Sequence, residues 1–110
     1  MDRVAALAAL IAFDRPLGAL QSTLDALPLE NAPAPLAVVR RKDIESVIRR
    51  FLARALSEAD VEIWAELVEC RDDVEFEPRH EEAVADALYD LANPESRFED
   101  VANDVLARLA

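Results

Sequence analysis

Few side chains in this sequence are equipped for chemistry. His80 is the only histidine and Cys70 the only cysteine. Glu77-Pro78-Arg79-His80 contains the Glu-x-x-His step of carboxylate-bridged di-iron bundles. That chemistry takes two such steps and further glutamates, and a single step is present. Asp73-x-Glu75-x-Glu77 alternates oxygen ligands as a calcium loop does, without the loop glycine or the closing Glu. A nucleophile–histidine pair would have to join His80 to Cys70, Ser46, Ser57 or Ser96, and no nucleophile elbow or Gly-rich turn accompanies any of them. Gly18, the single glycine, leaves no loop of the kind that cradles phosphate. The expectation is a chain with no catalytic residues, no metal and no cofactor, and not an enzyme.

Carboxylate is what the chain has in excess. Residues 57–90 hold 13 acids against 2 bases, which accounts for the net charge of −11 of the whole chain. Residues 1–56 hold 6 acids and 8 bases, and residues 91–110 hold 4 and 2. Glu58, Glu62, Glu66, Glu69 and Asp73 step by four, four, three and four. On one continuous helix they would share a sector of about 80°. Like charges at i,i+4 each cost a few tenths of a kcal/mol, so helix stability alone does not select this stripe. Glu81, Glu82, Asp86 and Asp90 add further charge on the next helix. Three readings stay open: a solvated face, a docking face for a basic protein, and a metal site. Arg40, Arg41, Lys42, Arg49, Arg50 and Arg54 form a basic patch that can balance part of the excess.

Composition bounds the partner. The −11 charge argues against direct binding to nucleic acid or anionic lipid, and for solubility and attraction to a basic protein. A lone cysteine suits a reducing cytosol, so a cytoplasmic location is expected. The apolar start MDRVAALAALIAFDRP reads as an amphipathic first helix rather than a signal peptide, because Asp2 weakens the basic n-region and Asp14 closes the run. No apolar stretch reaches the ~20 residues that span a bilayer, so no membrane is expected.

The elements that position the acids follow from helical periodicity. The 110 residues suffice for one domain over 1–110, and with aromatics at 5% its interior is built from Ala, Leu and Val. Asp2 caps a first helix in which Val4, Leu7, Leu10 and Ile11 recur at helical spacing. Asp14-Arg15-Pro16 ends it and opens a second, striped by Leu17, Leu20, Leu24 and Leu27. PLENAPAPL, residues 28–36, reads as a loop, followed by a short extended Ala37-Val38-Val39. Ile44, Val47, Ile48, Phe51, Leu52 and Leu56 mark a third helix. Ser57 with Asp60 starts a fourth, burying Val61, Trp64, Leu67 and Val68. Asp73 to Glu77 is an extended connector. Pro78 opens a fifth helix with Val84, Leu88 and Leu91 inward. Asn93-Pro94 breaks it, and Ser96 with Glu99 caps a sixth that carries Val101, Val105, Leu106 and Leu109. The fold class is all-α, a bundle of five to six short helices with no paired strand.

The segment Phe51–Glu77, about a quarter of the chain, resembles small helical bacterial immunity proteins of the colicin D and contact-dependent growth inhibition type. Phe51-Leu52, Leu56-Ser57, Val61, Trp64 and Arg71-Asp72-Asp73 carry the resemblance. Arg54 and Ala55 stand where that pattern has a glycine. The resemblance implies a cognate inhibitor of a toxin domain, often a basic nuclease acting on RNA. Independently, an array of carboxylates can occupy a phosphate-binding cleft. The expected contact set is Glu62, Glu66, Glu69, Asp72, Asp73, Glu75 and Glu77, with Arg71 orienting its neighbours. The competing expectation is a helical interaction or regulatory module, or a homo-oligomer, in which apolar grooves do the binding.

Overall fold

The computed structural model describes residues 2–26 and 37–110, so Leu27 and the segment 28–36 lie outside the described residues. Six helices and two short strands follow in the order α1 (Arg3–Ala12), α2 (Leu17–Ala26), β1 (Ala37–Val39), α3 (Arg41–Leu52), α4 (Glu58–Glu69), β2 (Val74–Phe76), α5 (Glu81–Ala92) and α6 (Phe98–Leu109). The chain is an all-α bundle around one core. Among the described residues no helix is long and apolar enough to cross a membrane.

Local chemistry sets most of these boundaries. The Asp2 side chain accepts from the Ala5 N–H at 2.7 Å, which satisfies an otherwise orphaned donor of the first turn. Ser57 and Asp60 form a reciprocal capping box, with the Asp60 N–H on Ser57 Oγ and the Ser57 N–H on Asp60 Oδ2, both at 3.1 Å. α3 ends at Leu52 because Arg54 turns left-handed, at φ 65°, and the Ala55 N–H reaches back to the Arg50 carbonyl at 2.8 Å. That conformation favours glycine, and it falls where the immunity-protein pattern has one. Leu56 therefore lies in the linker beyond α3 and packs from there against the core.

α3 lies beneath the other helices, with Ile44, Val47 and Ile48 fully buried between α1, α4, α5 and α6. Trp64 of α4 is fully buried and its indole N–H donates to the Leu10 carbonyl of α1 at 2.7 Å. The ring of Phe13 stacks beside it at 6.3 Å between centroids, and the Arg50 guanidinium covers Phe13 at 5.4 Å. At the same C-terminal end of α3, Phe51 meets Phe98 edge to face at 4.8 Å. Trp64 is thus a core residue that ties α4 to α1.

Four expectations change. The two extended segments do pair: β1 and β2 run parallel, with Ala37 opposite Val74 and Val39 opposite Phe76. Three-residue strands 35 or more positions apart carry no turn signal, so nothing local announces the pairing. Second, α4 stops at Glu69 with Cys70 as its C-cap, so Asp73 does not continue the glutamate stripe. Third, Pro78 does not open α5. Pro78 and Arg79 form a turn closed by the His80 N–H on the Glu77 carbonyl at 2.9 Å, with Arg79 at φ 72°. Proline at the second position and positive φ at the third define a type II turn, and the helix starts two residues later. Fourth, Arg97 occupies the N-cap of α6 without a side-chain cap bond, and Ser96 lies one residue outside the helix boundary.

Candidate functional site: an acidic ridge on α4 and its continuation

The seven expected contact residues divide into two groups. Glu62, Glu66 and Glu69 stand on α4, with Glu66 exposed and the other two half-buried. Asp72, in the turn after the helix, is exposed, as is Glu75, which points outward between Val74 and Phe76 of β2. Among the described residues, none of these five lies within ion-pair distance of a base.

Asp73 and Glu77 are engaged within the fold. Asp73 receives two hydrogen bonds of 2.8 Å from Arg71, a bidentate fork, and one of 3.2 Å from Arg3 of α1. These side chains are 11%, 24% and 13% exposed respectively, so the cluster is largely shielded from water. The Arg71 hydrogen bonds, more than the bare charge, hold the Asp73 carboxyl below its ordinary range, and the same bonds raise Arg71. Arg71 therefore orients Asp73 within the turn, and Arg3 of α1 ties that turn to the bundle. Asp72 and Asp25 add a longer-range attraction to the same guanidinium.

Glu77 plays the matching part at the far end of β2. It accepts the Arg41 backbone N–H at 3.0 Å and the Arg41 Nε–H at 3.1 Å. The backbone bond is the first cause of its lowered carboxyl pKa, with the guanidinium second. Since the Glu77 N–H also donates to the Val39 carbonyl at 2.9 Å, Glu77 closes the strand pair and satisfies the first turn of α3. Arg3 is a partner that sequence reasoning missed, and the sequence marks Arg41 only as one of a basic patch that can balance part of the excess, without its pairing to Glu77. Arg3 sits 70 positions from Asp73 and Arg41 sits 36 from Glu77. Only the fold brings them near.

The orientation of α4 explains where its acids go. A groove bounded by Phe13–Gly18, Arg50, Leu56, Asp60 and Ile63 shows that the Asp60–Ile63 edge of α4 faces the α1–α2 corner. The opposite edge, bearing Glu62, Ala65 and Glu69, is left for α5, the neighbour with which α4 packs most extensively. Small Ala65 is fully buried at this junction, which lets the helices approach closely. On α5, Glu82 and Asp86 are exposed opposite the buried Val84, Leu88 and Leu91, and Tyr89 is 56% exposed. Asp90 is bound by Arg108 of α6 at 2.6 Å, which raises the Arg108 pKa.

Of the basic patch, only Arg41 pairs with a carboxylate among the described residues. Arg50 donates to the Ala12 carbonyl at 3.2 Å and covers Phe13. His80 is half-buried at the N-cap of α5, without a side-chain cap bond. It lines a cleft of about 510 Å³ with Arg79, Glu82, Asp86, Val105 and Arg108. Among the described residues no three His, Cys, Asp or Glu side chains are grouped to hold a metal ion.

No protein-family model, curated protein or solved structure matches the chain.

Proposed function

We propose that this chain is an acidic, cytoplasmic protein-binding module that neutralises a basic partner, in the manner of a bacterial immunity protein that occupies the cleft of a nuclease-type toxin. It is not an enzyme in this reading. The observation that carries the proposal is the division of the acids. Asp73 and Glu77 are bound by arginines and fix the segment, whereas Glu62, Glu66, Glu69, Asp72 and Glu75 have no basic partner among the described residues. Retaining repulsive i,i+4 and i,i+3 steps on α4 works against the isolated helix, and a basic partner converts that repulsion into attraction. The left-handed Arg54, at the place of the pattern's glycine, also supports the resemblance.

The contact set in this reading is the five unpaired acids, with Asp73, Glu77 and Arg71 as positioning residues. The test is titration of the protein with basic nuclease domains, beginning with any encoded beside its own gene, at two ionic strengths. Tight binding at low salt that weakens steeply as salt rises, and that is lost on Glu66→Lys with Asp72→Lys, supports the reading. Binding indifferent to both refutes it.

A further inference from the structure

The exposed face of α3 is the electrostatic complement of the α4 ridge. Ile44, Val47 and Ile48 bury one side of α3, and helical spacing places Lys42, Ser46, Arg49 and Ala53 on the opposite side, all exposed. Arg40 at the N-cap and Arg54 just past the C-terminus are exposed as well. None of Arg40, Lys42, Arg49 and Arg54 pairs with a carboxylate among the described residues, although Asp43 and Glu45 lie on the same helix. Asp43 is occupied by the Arg40 backbone N–H at 2.9 Å.

The spacings on the two helices match. Lys42 and Arg49 are seven residues apart on α3, and Glu62 and Glu69 are seven residues apart on α4, with Glu66 between them. Each pair spans two helical turns, about 10 Å along its axis. Among the described residues no ion pair joins the two ridges within one molecule. The α3 face is exposed, and on α4 Glu66 is exposed while Glu62 and Glu69 are half-buried on the edge beside α5.

We infer that the α3 face is a docking surface for the α4 ridge of a second copy of this chain, giving a salt-sensitive head-to-tail association. The contact is heterologous, with a basic face on one copy meeting an acidic face on the next, so each added copy leaves one face of each sign exposed. This inference shares the α4 ridge with the proposed function but does not require a toxin partner. It gives the bare protein a way to cover that ridge, which a basic partner would then have to displace. The net charge of −11 opposes association at long range. Contact therefore depends on the local pairing, within the ~8–10 Å over which charges are felt at ordinary salt.

The test uses the whole chain in sedimentation velocity, with two charge-neutralised variants, Lys42→Gln/Arg49→Gln and Glu62→Gln/Glu66→Gln. Wild type is expected to sediment faster as concentration rises at about 20 mM salt, with the association weakened tenfold or more by about 300 mM. Each variant alone is expected to stay monomeric. An equimolar mixture is expected to form a one-to-one complex and stop there, because the first variant keeps the acidic ridge and the second keeps the basic face. A monomeric wild type at every salt overturns the inference, as does association indifferent to salt, self-association of either variant, or a mixture that does not pair. Lys42→Gln/Arg49→Gln leaves the α4 ridge intact, so its binding to a basic nuclease domain tests the proposed function separately. Loss of one activity does not entail loss of the other.

Discussion

Replacing Asp73 with asparagine removes one charge, keeps the shape, and tests whether the acidic turn is anchored as described. In the native protein its carboxylate takes two 2.8 Å bonds from Arg71 and one of 3.2 Å from Arg3. The amide retains one acceptor oxygen but turns an NH2 toward a guanidinium. Breaking a fully buried ion pair costs about 3–5 kcal/mol, and a hydrogen bond to a charged group contributes about 1.5–3 kcal/mol. These side chains are 11–24% exposed, so water recovers part of the loss. The expected destabilisation is about 2–3 kcal/mol at pH 7, a fall in Tm of roughly 10 °C for a domain of this size.

The dependence on pH makes this prediction specific. The Asp73 carboxyl is held below its ordinary value of 3.8, chiefly by the Arg71 hydrogen bond. A depressed folded-state pKa adds stability above the unfolded-state value, and that stability is lost as pH falls through the folded value. The gap between wild type and Asp73→Asn should therefore be full at neutral pH and close progressively below about pH 4. Urea denaturation of both proteins, followed by circular dichroism across that range, measures the gap directly. A difference under about 0.5 kcal/mol at pH 7 would refute the anchoring, since it is the size of an exposed pair. So would an undiminished gap in acid.

Trp64→Phe loses the bond to the Leu10 carbonyl and leaves a cavity, so chemical denaturation should show a loss of about 2–3 kcal/mol. Arg54→Gly relieves a left-handed backbone and should raise stability by about 0.5–1 kcal/mol even after the added freedom of the unfolded chain, as read by the urea midpoint. Glu66→Lys turns the repulsive steps to Glu62 and Glu69 into attractive ones and should stabilise the fold by about 0.5–1 kcal/mol while weakening partner binding. A thermal melt paired with a binding titration reads both effects. Glu77→Gln should lower Tm and leave the affinity for a basic partner nearly unchanged, because Glu77 faces Arg41 rather than the surface ridge.

The helices were legible in the sequence because their signals are local. Asp2 and the Ser57–Asp60 box bond the donors they were read to bond, and the 3.6-residue spacing of Ile44, Val47 and Ile48 is the buried side of α3. The strand pair was not legible, since its partners are joined only through α3 and α4. The candidate site was legible by half. Residue type and spacing marked Glu62, Glu66 and Glu69 as a ridge, and the alternation around β2 turned Glu75 outward. Spacing extended the stripe to Asp73 because nothing in Glu69-Cys70-Arg71 announces the end of a helix, lacking the glycine or proline that usually does. Which acids are neutralised depends on Arg3 and Arg41, brought close by α1 packing against α4 and by the β1–β2 register. No local pattern encodes those meetings.

The most direct test of the central claim is the affinity of wild type and Glu66→Lys/Asp72→Lys for one basic nuclease domain, measured by titration calorimetry from about 50 to 500 mM salt. The account predicts wild-type binding that falls at least tenfold across that range, and a loss of about a hundredfold in the double variant at the lowest salt. An affinity that stays constant through both changes would contradict it.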